Sequence, residues 1–133
     1  PLTPFVASFI GQGYFIRGQM LTPDTVQTEL GILNGNRAYS WPAGTPVDVL
    51  LRPDDIVPDP HSPLQARVSG KTFLGAATMY RLQLSTGSQL EALFPSHADH
   101  QPGELVGIRI AADHLALFPG TGSQATRAAL PLV

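Results

Sequence analysis

Glycine and proline punctuate the chain from end to end, thirteen of each in 133 residues, spread out rather than gathered in one tract. Neither residue suits an element interior, so no long helix survives such spacing, and the chain is cut into many short pieces joined by turns. Hydrophobic residues make up 43% of it and charged residues only 14%, enough for a packed core. Short elements, many turns and a real core together predict an all-β fold. The one helical feature expected is a short N-terminal turn over 3–10, with Thr3 as N-cap and Pro4 at the first helical position, broken by Gly11 and Gly13.

Strand patterns follow in order. Tyr14–Leu21 and Val26–Thr28 read as strands, Asn34-Gly35 as a tight turn, and Trp41-Pro42-Ala43-Gly44 as a turn before the buried strand Val47–Leu51. Pro53, Pro58, Pro60 and Pro63 predict an extended surface segment. Beyond it, Leu64, Ala66 and Val68 share one face, Met79–Leu84 and Gln89–Phe94 form a hairpin, and Leu105–Ile110 and Leu115–Phe118 complete the pattern.

The two halves echo each other. Gly44–Ile56 aligns without gaps on Gly103–Leu115: a Gly opens each segment, apolar residues alternate, and Asp54 or Asp113 stands two before a final apolar residue. A fainter echo links Phe9-Ile10-Gly11 with Phe73-Leu74-Gly75. Tandem β-barrel subdomains of the oligonucleotide/oligosaccharide-binding (OB) type are therefore expected, over 1–60 and 61–119, with a flexible tail over 120–133. The opening Pro1-Leu2-Thr3-Pro4 lacks a signal-peptide pattern and is expected to lie within a longer chain.

Catalysis finds little support. Gly70-Lys71-Thr72 resembles the end of a phosphate-binding loop, but Gln65 stands where the first Gly belongs and the surroundings alternate like a strand. His97, Asp99 and His100 fall in a loop and are expected to be solvated rather than metal ligands; His61 and His114 are isolated. No nucleophile-elbow pattern occurs, and Asp54 and Asp55, adjacent in an extended chain, point to opposite faces. Cys is absent, so thiolate chemistry and disulfides are excluded. No apolar run approaches the roughly twenty residues of a membrane-spanning helix. A net charge of −2, with Lys71 the only lysine, argues against a nucleic-acid partner despite Tyr14, Phe15, Tyr39, Trp41, Tyr80 and Arg81.

One cluster asks for more. Arg52-Pro53-Asp54-Asp55-Ile56 ends a buried strand with a cation, a rigid ring and two acids, a combination able to pin a strand end or a domain contact. With the preceding Val49-Leu50-Leu51 it resembles the "LRPEDI" signature of the transport-associated OB (TOBE) domains in ABC importer ATPases. Phe5–Gly11 is similar to the "FVA-FIG" segment of that family, and Phe73-Leu74-Gly75, Tyr80-Arg81-Leu82 and Thr86-Gly87 to its later motifs, in the family's order across roughly residues 1–119.

The resemblance implies a C-terminal regulatory and dimerisation domain of an importer's ATP-binding subunit, closest to the ferric-iron importers. It implies no cofactor in this piece, ATP and Mg being held by a separate ATPase domain. It further implies a homodimer, a membrane permease partner, and a cytoplasmic location peripheral to the inner membrane. Interface or regulatory candidates are Phe9, Trp41, Arg52, Pro53, Asp54, Tyr80 and Arg81. Oxyanion sensing is the first alternative and a nucleic-acid-binding OB module the second.

Overall fold

Alternation of apolar and polar residues produces eleven strands and, among the described residues, no α-helix. The structure, a computed structural model, describes residues 13–112 and 114–120 and the backbone of Arg127–Ala128. The expected helical turn over 3–10 and most of the expected tail lie outside these residues.

Contacts divide the chain into two units, residues 1–51 with 112–133, and residues 52–111. In the first, β1 (Tyr14–Thr22) pairs antiparallel with β2 (Thr25–Thr28) on one side and β4 (Pro46–Leu51) on the other. β3 (Gly31–Asn34) extends β2, and β10 (Leu117–Pro119) extends β4. A bridge between Gly35 and Leu115 joins the β3 end to the segment entering β10, so the sheet closes on itself. β11 (Arg127–Ala128) adds a short pairing to Tyr14 and Phe15. Ile16, Met20, Val26, Val47, Val49 and Leu51 point inward and are almost wholly buried.

The second unit orders β5 (Ile56–Pro58), β9 (Leu105–Ile110), β6 (Gln65–Phe73), β7 (Ala77–Gln83) and β8 (Gln89–Pro95) side by side. The expected hairpin is present: Leu82 opposes Leu90, Tyr80 opposes Ala92 and Thr78 opposes Phe94, all inward-facing and buried. Ala66 and Val68 complete that face, as their alternation required.

Two OB-like β units are thus present, but they are not consecutive. Residues 52–60, expected in the first, belong to the second, and 112–119, expected in the second, return to the first. Strand pairing is the cause: β5 leaves β4 to join β9, and β10 leaves β9 to join β4. The second unit is therefore an insertion between β4 and β10 of the first. The aligned repeat falls on these departures. Gly44 and Gly103 open β4 and β9 with φ of +88° and +91°, a left-handed turn that glycine adopts without steric cost. At the other end Ile56 and Leu115, the final apolar residues of each copy, are buried in the unit the chain has just entered.

Two local expectations change. Asn34-Gly35 is not a hairpin turn: the β2–β3 reversal occurs at Glu29-Leu30, with Gly31 at φ +107°, and Gly35 instead meets Leu115. The proline-rich stretch is not uniformly extended at the surface. Pro53–Asp55 forms a 3₁₀ turn with Pro53 buried, and Ile56–Pro58 is a strand.

Candidate functional site

The Arg52–Ile56 cluster is the joint at which the chain enters the inserted unit. Arg52 ends the buried run of β4 in an extended conformation, and Pro53 starts the turn with its φ already suitable. The Arg52 amide donates to Asp55 Oδ2 at 2.9 Å, while the Asp55 amide donates to the Arg52 carbonyl at 2.9 Å. This reciprocal pair closes the turn. The Ala111 amide then donates to the Asp55 carbonyl at 2.7 Å, and Ile56 lies opposite Ile110, so the strands entering and leaving the unit are bonded to each other. Burial pushes the Asp55 carboxyl above its usual range, with the Arg52 amide bond acting in the opposite direction. Arg52 and Asp54 are exposed.

Trp41 is half-buried and stacks on Tyr39, centroids 4.6 Å apart with planes 16° from parallel. Tyr39 is buried; its hydroxyl donates to Asn36 Oδ1 and accepts the Leu117 amide at 3.2 Å, and the Arg37 guanidinium lies 4.4 Å from its ring centre. The loop between β3 and β4 is thereby held against β10. Trp41 keeps an open surface on a rigid support.

Tyr80 has no such surface. It is fully buried, packs on Phe94 at 5.1 Å and on His100 at 5.8 Å, and accepts the His100 amide on its hydroxyl at 3.0 Å. Its place among interface candidates is corrected to the core, because an inward strand position buries whatever ring it carries. Arg81, next in sequence, is exposed, and its guanidinium crosses Gly70 so closely that a Cβ there would sit 2.7 Å from Nη2. Phe9 lies outside the described residues.

The loop after β8 is more ordered than the solvated loop expected of it. Lys71 Nζ meets Asp99 Oδ1 at 2.7 Å and the His100 carbonyl at 3.1 Å. His100 Nδ1 lies 2.7 Å from Glu104 Oε2, and the Gln101 amide donates to Glu104 Oε1 at 3.0 Å. The bond from Lys71 holds the Asp99 carboxyl below its usual range, and that from His100 does the same for Glu104. These ligand-like residues are thus spent on one another, and no group of three or more among the described residues is arranged to hold a metal ion. Lys71 belongs to strand β6, so the phosphate-loop likeness is coincidental. Sequence reasoning missed this cap because its partners stand 28 and 29 residues apart.

Comparison with known proteins decides the family: the model of the TOBE domain matches residues 49–118, more than half the chain. The chain is a TOBE domain protein. The match begins in β4 and ends in β10, and so takes in the joint and the whole inserted unit. This TOBE chain is 33% identical to the sn-glycerol-3-phosphate import ATP-binding protein UgpC of Ruegeria sp. (strain TM1040), over 93% of its own length and 35% of the relative's. It is 31% identical to the sulfate/thiosulfate import ATP-binding protein CysA of Xanthomonas campestris pv. campestris, over 90% and 34%. The chain spans about a third of the length of these relatives. Its fold is similar to that of the cytoplasmic molybdate-binding protein ModG in a molybdate-bound crystal form, with a TM-score of 0.64, 13% identity, and coverage of 79% of this chain and 94% of that one. The all-β, OB-like architecture and the kinship with importer ATP-binding subunits stand; the expected tie to ferric-iron importers finds no support in these relatives. No helix among the described residues is long and apolar enough to cross a membrane.

Proposed function

We propose that this TOBE chain is the regulatory and dimerisation portion of an ABC importer's ATP-binding subunit. The observation that carries the reading is the asymmetry of the alignments. The relatives match nine-tenths of this chain within one-third of their own length, and both bear the names of import ATP-binding proteins. On this reading ATP and Mg are held outside the 133 residues, this portion performs no catalysis, and a membrane permease is the partner of the parent protein. The parent then works at the cytoplasmic side of the inner membrane as a peripheral subunit. Iron(III) was the cargo expected from sequence, whereas the relatives' names favour glycerol phosphate and sulfate or thiosulfate; the reading rests on no particular cargo.

A twofold assembly needs the same patch on both copies, with an apolar anchor at its centre. Trp41, backed by Tyr39 and partly open, is the anchor we assign on the first unit; Arg52, Asp54 and Arg81 are exposed polar candidates on the second, each to be tested separately. Light scattering across a concentration series of the purified chain tests it. A mass rising from monomer to dimer, and falling back for Trp41→Ala, is the expected result; a monomer at every concentration would sink the dimerisation role.

A further inference from the structure

The outer face of the first unit carries a polar groove. On β1, Ile16 and Met20 face inward, so Arg17 and Gln19 face out, and both line a groove of about 410 Å³ shared with β2 and the start of β4. That volume lies within the range of roughly 300–1,000 Å³ typical of small-molecule sites. Strand register sets its polar groups in opposed pairs: Arg17 stands opposite Asp48, and Gln19 opposite Gln27. Thr28 and Glu29 complete the polar lining.

Asp48 is the unusual member. It is 3% exposed, the one charged side chain in the buried set among the described residues, although its strand position faces away from the barrel interior. Of the three buried polar residues in that set, two, Asp48 and Thr28, line this groove. Burying a carboxylate is costly without a partner, and the cross-strand Arg17 is placed to neutralise it.

The lining selects a chemistry. Two carboxylates against one guanidinium leave an excess of negative charge, which disfavours phosphate, sulfate and other oxyanions. No aromatic ring lines the groove, so stacking of a nucleic-acid base has no platform. A cationic ligand would compete with Arg17 for Asp48. What remains is a dense set of groups that donate and accept: two amides, a guanidinium and two carboxylates, a set suited to hydroxyls that do both. We propose that this groove binds a small, uncharged polyhydroxylated ligand, a polyol or sugar. The site lies wholly on the first unit and holds whether or not the chain dimerises.

The test is an NMR titration of the purified 133-residue chain with glycerol, glucose and maltose, followed in the side-chain amides of Gln19 and Gln27. Sulfate, glycerol 3-phosphate and spermidine serve as charged comparisons. A saturable shift of these amides with at least one neutral compound is expected, and Gln19→Ala/Gln27→Ala should weaken that binding about tenfold or more, the loss of well over 1 kcal/mol of contacts. Both positions are exposed, so the variant keeps its fold, which an unchanged backbone spectrum elsewhere verifies. Asp48→Asn gives a second reading of the same site. Saturation by the anions or spermidine alone, no saturable shift with any neutral compound, or binding that survives the double variant would each overturn the proposal.

Discussion

Asp55 does two jobs of opposite energetic sign. Its carboxylate accepts the Arg52 amide, which closes the turn, yet its partial burial raises its pKa. A raised carboxyl binds protons more readily in the folded state, so its charge is a stability cost that develops as pH rises from the unfolded value through the folded one. Asp55→Ala should lose about 1 kcal/mol, the usual worth of one side-chain-to-backbone hydrogen bond, read from the shift of a urea midpoint. Asp55→Asn, which keeps an acceptor and discards the charge, should match or slightly exceed the wild type at neutral pH; a loss equal to that of the Ala variant would show that the turn depends on charge. Tyr80 gives the larger test. Tyr80→Ala removes a fully buried ring and should cost about 3–5 kcal/mol. Tyr80→Phe removes the hydroxyl that accepts the His100 amide and donates to the Ala98 carbonyl, and should cost about 1–3 kcal/mol. Trp41→Ala, by contrast, should alter association more than stability, since its ring is partly open.

Among the elements, the loop from Ser96 to Glu104 shows what strand patterns leave unread. The reversal of β7 into β8 was legible because it needs only alternation and a Gly turn, with Gly87 at φ +97°. The loop cap was not, since Lys71 reaches it from a strand whose local sequence says nothing of Asp99. Both Asp99 and Glu104 titrate below their usual range in the folded chain, so the stability they confer is present above the unfolded carboxylate pKa. It is lost as pH falls through their depressed folded values. Acid unfolding followed by circular dichroism should therefore flatten over the low end of the carboxylate range in a Lys71→Ala/Glu104→Gln variant. An unchanged profile would mean these bonds do not matter for stability. The Arg52–Ile56 cluster was legible as a special turn. Its role as the bonded joint with Ala111 was not, because that partner arrives from the far side of the inserted unit.

For the molecule as a whole, insertion makes a prediction that a tandem arrangement would not. Residues 52–111 hold all five strands of the second unit in one uninterrupted segment, whereas 1–51 lack the β10 that completes the first sheet. The fragment 52–111 should unfold cooperatively on its own, and 1–51 should not, unless residues 112–133 are rejoined to Leu51 by a short linker. Calorimetry on the three fragments checks it; a folded 1–51 would show that β10 is dispensable. Much of the architecture was written locally. Spaced Gly and Pro, alternating apolar residues and the Gly-headed repeat determined an all-β chain of two related units, because turns and strand faces are chosen by neighbours in sequence. Which strand closes which barrel was decided only in three dimensions. β5 and β10 are short apolar segments whose local sequence specifies no partner, and their pairing with β9 and β4 is made by hydrogen bonds and buried contacts between residues some fifty to seventy positions apart. The groove on the first unit is of the same kind: its opposed pairs, Arg17 with Asp48 and Gln19 with Gln27, exist only once three strands have found their register.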